Sequence, residues 1–234
     1  ALARGLTNLE VITCDVNQLQ FQPGTLFDRV VSVEMFEHMR NYQTLLANIA
    51  SWMAPSATLF VHIFTHHRFA YTFEIRDESD WMAKYFFTGG IMPSDDLLHY
   101  FQQDLRLMDH WQVDGRHYQL TSEAWLANMD AQREKLWPIL TQAYGSDQTT
   151  RWWVYWRVFF MSCAVLFGYP EGRELVVSTI CSKNLETTLA YHAGKYVADA
   201  SVMVECRHDS GSLAPVCSGF ASARDEPGRD VPIF

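Results

Sequence analysis

Two carboxylates and one imidazole lie close together in this chain, as Glu34, Glu37 and His38. Imidazole titrates near neutral pH and carboxylates stabilise cations, so this set could bind an ammonium group and remove its proton. The spacings of three and four residues place all three side chains on one face if the chain turns helical after Val33. The same residues also suit an ordinary helix N-terminus, where the dipole favours Glu and the His is merely hydrogen-bonded.

The elements around this cluster predict where it lies. The β-branched run within 27–33 is typical of a strand buried on both faces, so the cluster follows the carboxyl end of that strand. Leu9–Cys14 is predicted as an earlier strand, Tyr42–Met53 as a helix and Thr58–Phe64 as a further strand. This alternation is typical of an α/β protein with a doubly wound parallel sheet, in which ligands bind at the carboxyl ends of the strands.

The segment 65–94 is rich in aromatic residues and lacks a regular pattern, which predicts a lid or binding loop. The remaining pattern predicts a short helix from Ser94 to about Gln103, a strand over Leu105–Val113, a helix over Thr121–Tyr144 kinked near Pro138, a helix over 147–167 ended by Gly168, and a strand from Leu175. The regions of about 65–94 and 116–168 are therefore predicted to form a cap and the substrate site.

The composition changes after Ser178. All eight tryptophans lie at or before Trp156, and the end of the chain from Asp209 is rich in Ser, Gly and Pro, which cannot bury much apolar surface. We therefore expect one partial domain over 1–178 and a divergent tail over 179–234 that is largely disordered towards its end.

Charge and cysteine content exclude several classes of function. A net charge of −9 argues against nucleic acid as a partner, because phosphate binding needs a basic face. The five cysteines contain no C-x-x-C pair and Glu37–His38 lacks the H-E-x-x-H arrangement, so no metal site is predicted. The apolar run 159–167 is too short to cross a bilayer, and no signal peptide opens the chain. A soluble, cytoplasmic protein is expected.

Other candidate residues have equally ordinary interpretations. His62 lies inside an apolar strand, where a core histidine is commoner than a catalyst, and Tyr118 lies in a predicted polar loop, where a surface tyrosine is commoner. The run 151–160 is aromatic around its whole circumference. One face of that helix could line an aromatic pocket, which holds cations by cation–π attraction, or all its rings could pack in the core.

Four segments together resemble a known family. They are Phe27–Met39, Trp81–Ser94 with its Phe-Phe-Thr-Gly-Gly sequence, His117–Leu126 and Val154–Arg157. In this order and with little gap they resemble the coclaurine N-methyltransferase-like family, a branch of the cyclopropane-fatty-acid synthase superfamily of S-adenosyl-L-methionine-dependent enzymes. The resemblance covers about residues 1 to 178. Glu34 favours the amine branch, because the cyclopropane synthases carry a small residue at that position.

The resemblance implies a Rossmann-like class I methyltransferase fold that moves the methyl group of S-adenosylmethionine to a small-molecule amine by direct displacement, without a metal. The residues that match the family's functional positions are Glu34, Glu37 and His38 for binding and deprotonating the amine, Tyr155, Trp156 and Phe159 for the substrate pocket, and Asp15 and Val16 for the adenine of the cofactor. His62 and Tyr118 match positions that surround a bicarbonate in the cyclopropane synthases.

The chain departs from the family in its glycines. No two of its twelve glycines are two residues apart, so the glycine-rich cofactor loop of class I methyltransferases is absent. We therefore expect an incomplete sheet from a truncated chain. Three hypotheses follow: an amine N-methyltransferase, a cyclopropane-fatty-acyl-phospholipid synthase-like lipid enzyme, and a non-catalytic remnant or regulator that pairs with a full-length subunit or a second copy. The absence of a basic amphipathic helix counts against the lipid enzyme.

Overall fold

The computed structural model describes residues 5–169 and 174–183. The strands are β1 Phe27–Val33, β2 Met53–His66, β3 Tyr71–Thr72, β4 Ile91–Met92, β5 Arg106–Val113 and β6 Glu174–Ser182. The helices are α1 Tyr42–Trp52, α2 Trp81–Tyr85, α3 Gly115–Ala131, α4 Arg133–Tyr144 and α5 Thr149–Phe167, with short 3-10 turns at Phe36–His38 and Leu97–Tyr100. The predicted α/β class is confirmed.

Four strands form one mixed sheet in the order β1-β2-β6-β5. β1 and β2 are parallel, as the sequence predicts, but β6 runs antiparallel to both of its neighbours. The direction of β6 follows from the chain path, because helices α3 to α5 return the chain beside the end of β5, where Val113 pairs with Val176. Because β6 starts beside the end of β5, it runs in the opposite direction to β5.

The β1–α1–β2 unit holds the main core. Leu45 and Ile49 of α1 pack with Val30 of β1 and with Leu59 and Val61 of β2, and all five side chains are buried. Burial of these aliphatic groups is the main driving force for holding the helix on the sheet. The carboxyl end of β1 is therefore anchored on a rigid unit.

The start of β2 differs from the prediction. α1 ends at Trp52, and β2 already begins at Met53 instead of the predicted Thr58, so Pro55 lies inside the strand. The pairing register shifts between Phe27 and Arg29, opposite this part of β2. A bulge is where a strand tolerates proline, because no ladder hydrogen bond is lost there.

The predicted first strand, Leu9–Cys14, is wrong over residues 9–13, which have no regular structure. Leu9, Val11 and Ile12 are exposed. An apolar run with β-branched residues needs a partner strand, and none of the described strands lies beside this one.

The aromatic segment 65–94 leaves the sheet and returns beside it. The strand pair β3–β4 and helix α2 form within it, and a bridge between His66 and Ser94 closes it at its base. The segment contains more regular structure than the sequence pattern indicates, and its role as a lid or binding loop stays a prediction.

The helical region after β5 divides at a different place from the prediction. α3 starts at Gly115, where the Asp114 side chain accepts a hydrogen bond from the Arg116 amide at 2.9 Å, and not at Thr121. The break between α3 and α4 falls at Gln132, whereas Pro138 lies within α4. Pro138 has no amide hydrogen to donate to the carbonyl of Glu134. Because Glu134 lies in the exposed first turn of α4, the helix tolerates the loss of this one hydrogen bond.

The last helix and strand follow the prediction more closely. α5 ends at Phe167 with Gly168 as its C-cap. β6 continues to Ser182, past the expected domain boundary at Ser178, and residues 184–234 of the predicted tail lie outside the described residues. No helix in the described ranges is long and apolar enough to cross a membrane.

Candidate active site

Glu34 marks a sharp change of chain direction directly after β1. Its φ is +51°, in the left-handed region that a glutamate rarely adopts, and its amide donates a 2.8 Å hydrogen bond to the His62 carbonyl of β2. Such backbone strain persists only where the surroundings enforce it, and it concentrates at functional sites. The chain then forms the 3-10 turn Phe36–His38 and not the α-helix on which the shared face was predicted.

The carboxyl groups of Glu34 and Glu37 lie within hydrogen-bonding reach of each other. Glu37 is 1% exposed, and neither of its carboxyl oxygens receives a hydrogen bond from a donor group in the described part of the chain. Burial, and then the charge of Glu34, raises the pKa of Glu37 well above its ordinary value. The protonated form of Glu37 is therefore favoured more than in an exposed glutamate, and a cation beside it would favour the ionised form.

Glu34 has an intermediate protonation state. Burial raises its pKa from 4.5 to about 7, although hydrogen bonds from Tyr118 and from Glu37 act in the opposite direction. The Tyr118 hydroxyl donates to Glu34 Oε2 over 3.4 Å. Because the two carboxyl groups lie side by side, they titrate as a pair.

Tyr118 joins this pair from the helical region. It lies in the first turns of α3, not in the loop that was predicted, and its ring packs against Phe167 at 4.4 Å and Trp125 at 6.1 Å. These contacts fix the ring while the hydroxyl reaches Glu34. The structure therefore brings Tyr118 to the predicted cluster.

His62 lies on β2 opposite Val33, the last residue of β1. Its ring is half-buried and stacks with Phe60 at 6.3 Å. Burial lowers its pKa, so the imidazole is neutral at neutral pH. Its backbone carbonyl accepts the hydrogen bond from the Glu34 amide and so connects β2 to the cluster.

His38 lies at the border between the carboxyl pair and a group of aromatic rings. Its half-buried ring stacks with that of Phe87 at 6.5 Å and 21°. Phe87 in turn lies 5.8 Å from Phe159 on α5 and 5.7 Å from Phe64 on β2. His38 therefore connects the acid–base pair to the cap.

The three predicted pocket residues of α5 face the turn after α2. Phe159 stacks on Phe86 at 4.4 Å, Trp156 meets the same ring edge-on at 5.1 Å, and Tyr155 lies 4.8 Å from Tyr85. All three residues are half-buried and pack against other rings, and their role as a substrate pocket stays a prediction. Tyr155 lies furthest out, where Arg151 donates to its hydroxyl at 2.9 Å.

Asp15 and Val16 lie in a turn before β1. Asp15 Oδ1 accepts hydrogen bonds from the backbone and side-chain amides of Asn17, both at 2.9 Å, and Val16 is buried in the main core. Asn41, at the start of α1, donates to the Asn17 side chain at 2.8 Å. The turn is thus attached beside the end of β1, but these contacts do not join Asp15 to Glu34.

Three residues that support the site were not predicted from the sequence. Tyr42 donates to the Phe36 carbonyl at 2.9 Å, and Phe87 and Gly90 contact the Glu37–His38 segment. Tyr42 was predicted only as the first residue of the helix. Phe87 and Gly90 belong to the Phe-Phe-Thr-Gly-Gly segment, whose two adjacent glycines were the available signal.

Comparisons with known proteins show what this chain is similar to. A family model described as mycolic acid cyclopropane synthetase matches residues 5–171. (S)-Coclaurine N-methyltransferase of Thalictrum flavum subsp. glaucum is 39% identical over 184 residues, which are 77% of this chain and 50% of that protein. Cyclopropane-fatty-acyl-phospholipid synthase of Escherichia coli K12 is 28% identical over 143 residues, which are 60% of this chain and 34% of that protein.

A solved structure shows the same arrangement of elements. The crystal structure of coclaurine N-methyltransferase bound to N-methylheliamine and SAH superposes with a TM-score of 0.70 and 33% identity, over 78% of this chain and 53% of that one. The chain spans about half the length of the curated relatives it matches. It has the fold of the class I methyltransferases and belongs to the mycolic acid cyclopropane synthetase family, with the coclaurine N-methyltransferases among its relatives, as its motifs predicted.

Proposed function

We propose that this chain carries the amine-binding part of an S-adenosylmethionine-dependent N-methyltransferase. The observation that supports this most strongly is Glu37, a fully buried carboxyl group to which no described residue donates a hydrogen bond. A buried acid without a donor partner is costly as an anion, and an ammonium ligand would supply both the charge and the donor.

The two carboxyl groups would then act on the proton of the amine. An amine arrives mostly as the ammonium ion, whose nitrogen has no lone pair to react. Glu34, with a pKa of about 7, is a suitable base at neutral pH, because it is partly ionised there and can still hold a proton. Transfer of one proton to the carboxyl pair leaves the neutral amine, and Tyr118 stabilises the ionised form of Glu34.

S-Adenosylmethionine, when bound, supplies a sulfonium methyl that the amine lone pair attacks, so that the C–S bond breaks and its electrons remain on sulfur. The described residues fit one part of this molecule. Asp15 uses Oδ1 within its own turn, which leaves Oδ2 to accept from an adenine amino group. The sequence has no G-x-G segment for the rest of the cofactor.

The aromatic rings favour an amine with an aromatic ring of its own. Phe87 stacks on His38, Phe159 packs beside Phe87, and Trp156 packs beside Phe159, and such rings bind flat apolar groups and attract cations. The solved relative contains N-methylheliamine. A cyclic secondary amine is therefore our proposed substrate class.

Methyl transfer to 1,2,3,4-tetrahydroisoquinoline, followed with methyl-labelled S-adenosylmethionine, tests the proposal. We expect the wild-type chain to label the amine, and Glu37→Gln to lose about a hundredfold in kcat while the amine still binds. Equal turnover of the two proteins would remove Glu37 from the mechanism.

The absent glycine motif supports a second candidate, in which this chain binds amine but transfers no methyl group by itself. Isothermal titration with S-adenosylmethionine separates the two. Micromolar binding contradicts the non-catalytic hypothesis, whereas amine binding without cofactor binding supports it. Association with a full-length subunit or a second copy, and a cytoplasmic location, stay predictions.

A further inference from the structure

The segment Phe87–Gly90 forms a closed turn beside the acid–base pair. The Gly90 amide donates to the Phe87 carbonyl at 3.0 Å, and Gly89 has a φ of +80°. This is the conformation of a type II turn, which requires a glycine at its third position. The Gly90 carbonyl accepts a hydrogen bond from the Phe73 amide at 3.1 Å, so the turn is also fixed from its outer side.

This turn contacts the segment Glu37–Arg40 at three places. A Cβ atom on Gly90 would lie only 2.9 Å from the Glu37 carbonyl oxygen, so the two backbones touch. Arg40 Nε donates to the Gly89 carbonyl at 2.9 Å. The Phe87 ring stacks on that of His38.

The position of the Glu37 carboxyl group depends in part on the backbone that carries it. No side-chain donor among the described residues holds it, and the backbone before it is strained at Glu34. Its polar neighbour is Glu34, and its position also depends on the backbone of Glu37, which the turn touches directly.

We infer that the Phe87–Gly90 turn is the positioning element of the acid–base pair, with Gly90 and Arg40 as positioning residues. The inference rests on the proposed function for its catalytic consequence, but the positioning itself is a property of this chain.

The same turn also contacts the aromatic rings of the 65–94 segment and of α5. The Phe87 ring packs with Phe73 at 5.0 Å and with Phe159 at 5.8 Å, and the Thr88 hydroxyl donates to the Ala83 carbonyl of α2 at 3.0 Å. A shift of the turn would therefore move the ring-binding surface and the carboxyl pair together. The specificity for the amine ring and the placement of the base are set by one structural unit.

The test compares Gly90→Ala with Gly24→Ala. Both remove a glycine from a turn, but a Cβ on Gly24 meets nothing within 4 Å and suffers only from the φ of +87°. Arg40→Gln removes the second contact without adding bulk, and Arg106→Gln, at an exposed position of β5, controls for the lost charge.

Two readouts are measured in the full chain: the carbon-13 NMR titration of labelled glutamate carboxyl groups, and kcat with KM for tetrahydroisoquinoline. We expect Gly90→Ala and Arg40→Gln to move the titration of the Glu34–Glu37 pair towards the ordinary glutamate pKa, because displacement admits water. We also expect a loss of about tenfold or more in kcat for these two variants, and neither effect for the controls.

The outcomes separate this inference from the proposed function. If Gly90→Ala and Arg40→Gln titrate and turn over like the wild type, the positioning role is wrong and the methyltransferase proposal stands. If no protein turns over but the two variants still shift the carboxyl titration, the positioning role stands and the methyltransferase proposal fails. If Gly90→Ala does not fold, Arg40→Gln decides the matter by the same criteria.

Discussion

The hydroxyl of Tyr118 donates a hydrogen bond to Glu34 over 3.4 Å, whereas the neighbouring Glu37 receives none from the described residues. Burial raises the pKa of Glu34 to about 7 although this hydrogen bond lowers it, whereas burial and then the charge of Glu34 raise the pKa of Glu37 well above its ordinary value. A pair of groups whose pKa values are pushed apart by their surroundings is how proteins assign acid and base roles.

Tyr118→Phe removes the hydrogen bond and keeps the ring packed against Phe167 and Trp125. We expect the pKa of Glu34 to rise above about 7, since a bond that lowers it is lost. The alkaline shift would appear in the carbon-13 titration and in the pH profile of kcat/KM. Tyr100→Phe, which removes a hydroxyl bound to Asp96, is the matched control. An unchanged titration in Tyr118→Phe would show that the 3.4 Å contact is not a hydrogen bond in solution.

Glu34→Gln is expected to stabilise the fold above neutral pH. The pKa of Glu34 is about 7 in the folded protein and near 4.5 when exposed, so between these values the folded state binds more protons than the unfolded state. The free energy of unfolding therefore falls as the pH rises through this window. Removing the group should restore on the order of 2 kcal/mol above pH 7 and little below pH 4.5.

Urea unfolding at pH values on both sides of this window measures the effect. Glu78→Gln, at an exposed position, should leave the pH dependence as it is in the wild type. A Glu34→Gln protein with the wild-type pH dependence would mean that Glu34 titrates normally.

Phe159→Leu is expected to weaken the binding of an aromatic amine more than it slows the chemistry. The substitution keeps apolar volume in α5 but removes the ring that stacks on Phe86 at 4.4 Å. We expect KM for tetrahydroisoquinoline to rise by about tenfold, because an aromatic contact contributes about 1 kcal/mol or slightly more. Met161→Leu, at a half-exposed position of the same helix, is the control. A fall in kcat with unchanged KM would place Phe159 in the chemical step instead.

The sequence predicted the parts of this molecule that depend on local pattern. The strand Phe27–Val33 and helix α1 have one clear hydrophobic period each, and the structure confirms both. Prediction from the sequence failed where a partner element decides whether a segment forms a strand. Residues 9–13 have the composition of a strand, but none of the described strands lies beside them. The antiparallel direction of β6 depends on the path of three helices, which no local pattern contains.

The site shows the same limit. Glu34, Glu37 and His38 were predicted from their types and spacing, and the structure places the carboxyl groups together. The spacing predicted a helical face, but the actual cause is a strained residue followed by a 3-10 turn. The contact between Gly90 and the Glu37 carbonyl joins residues 53 positions apart and was not predictable from either segment alone.

The assignment of the Glu34–Glu37 pair to the amine is tested most directly by measuring proton release when the chain binds an amine. Titration with tetrahydroisoquinoline hydrochloride at neutral pH, in buffers of different ionisation enthalpy, measures it without the cofactor. We expect the ammonium ion to displace a proton from the Glu34–Glu37 pair, with release of up to about one proton per amine bound, and we expect Glu37→Gln to abolish most of this release. Amine binding without proton release, or with equal release in Glu37→Gln, would contradict the assignment of this pair to the amine.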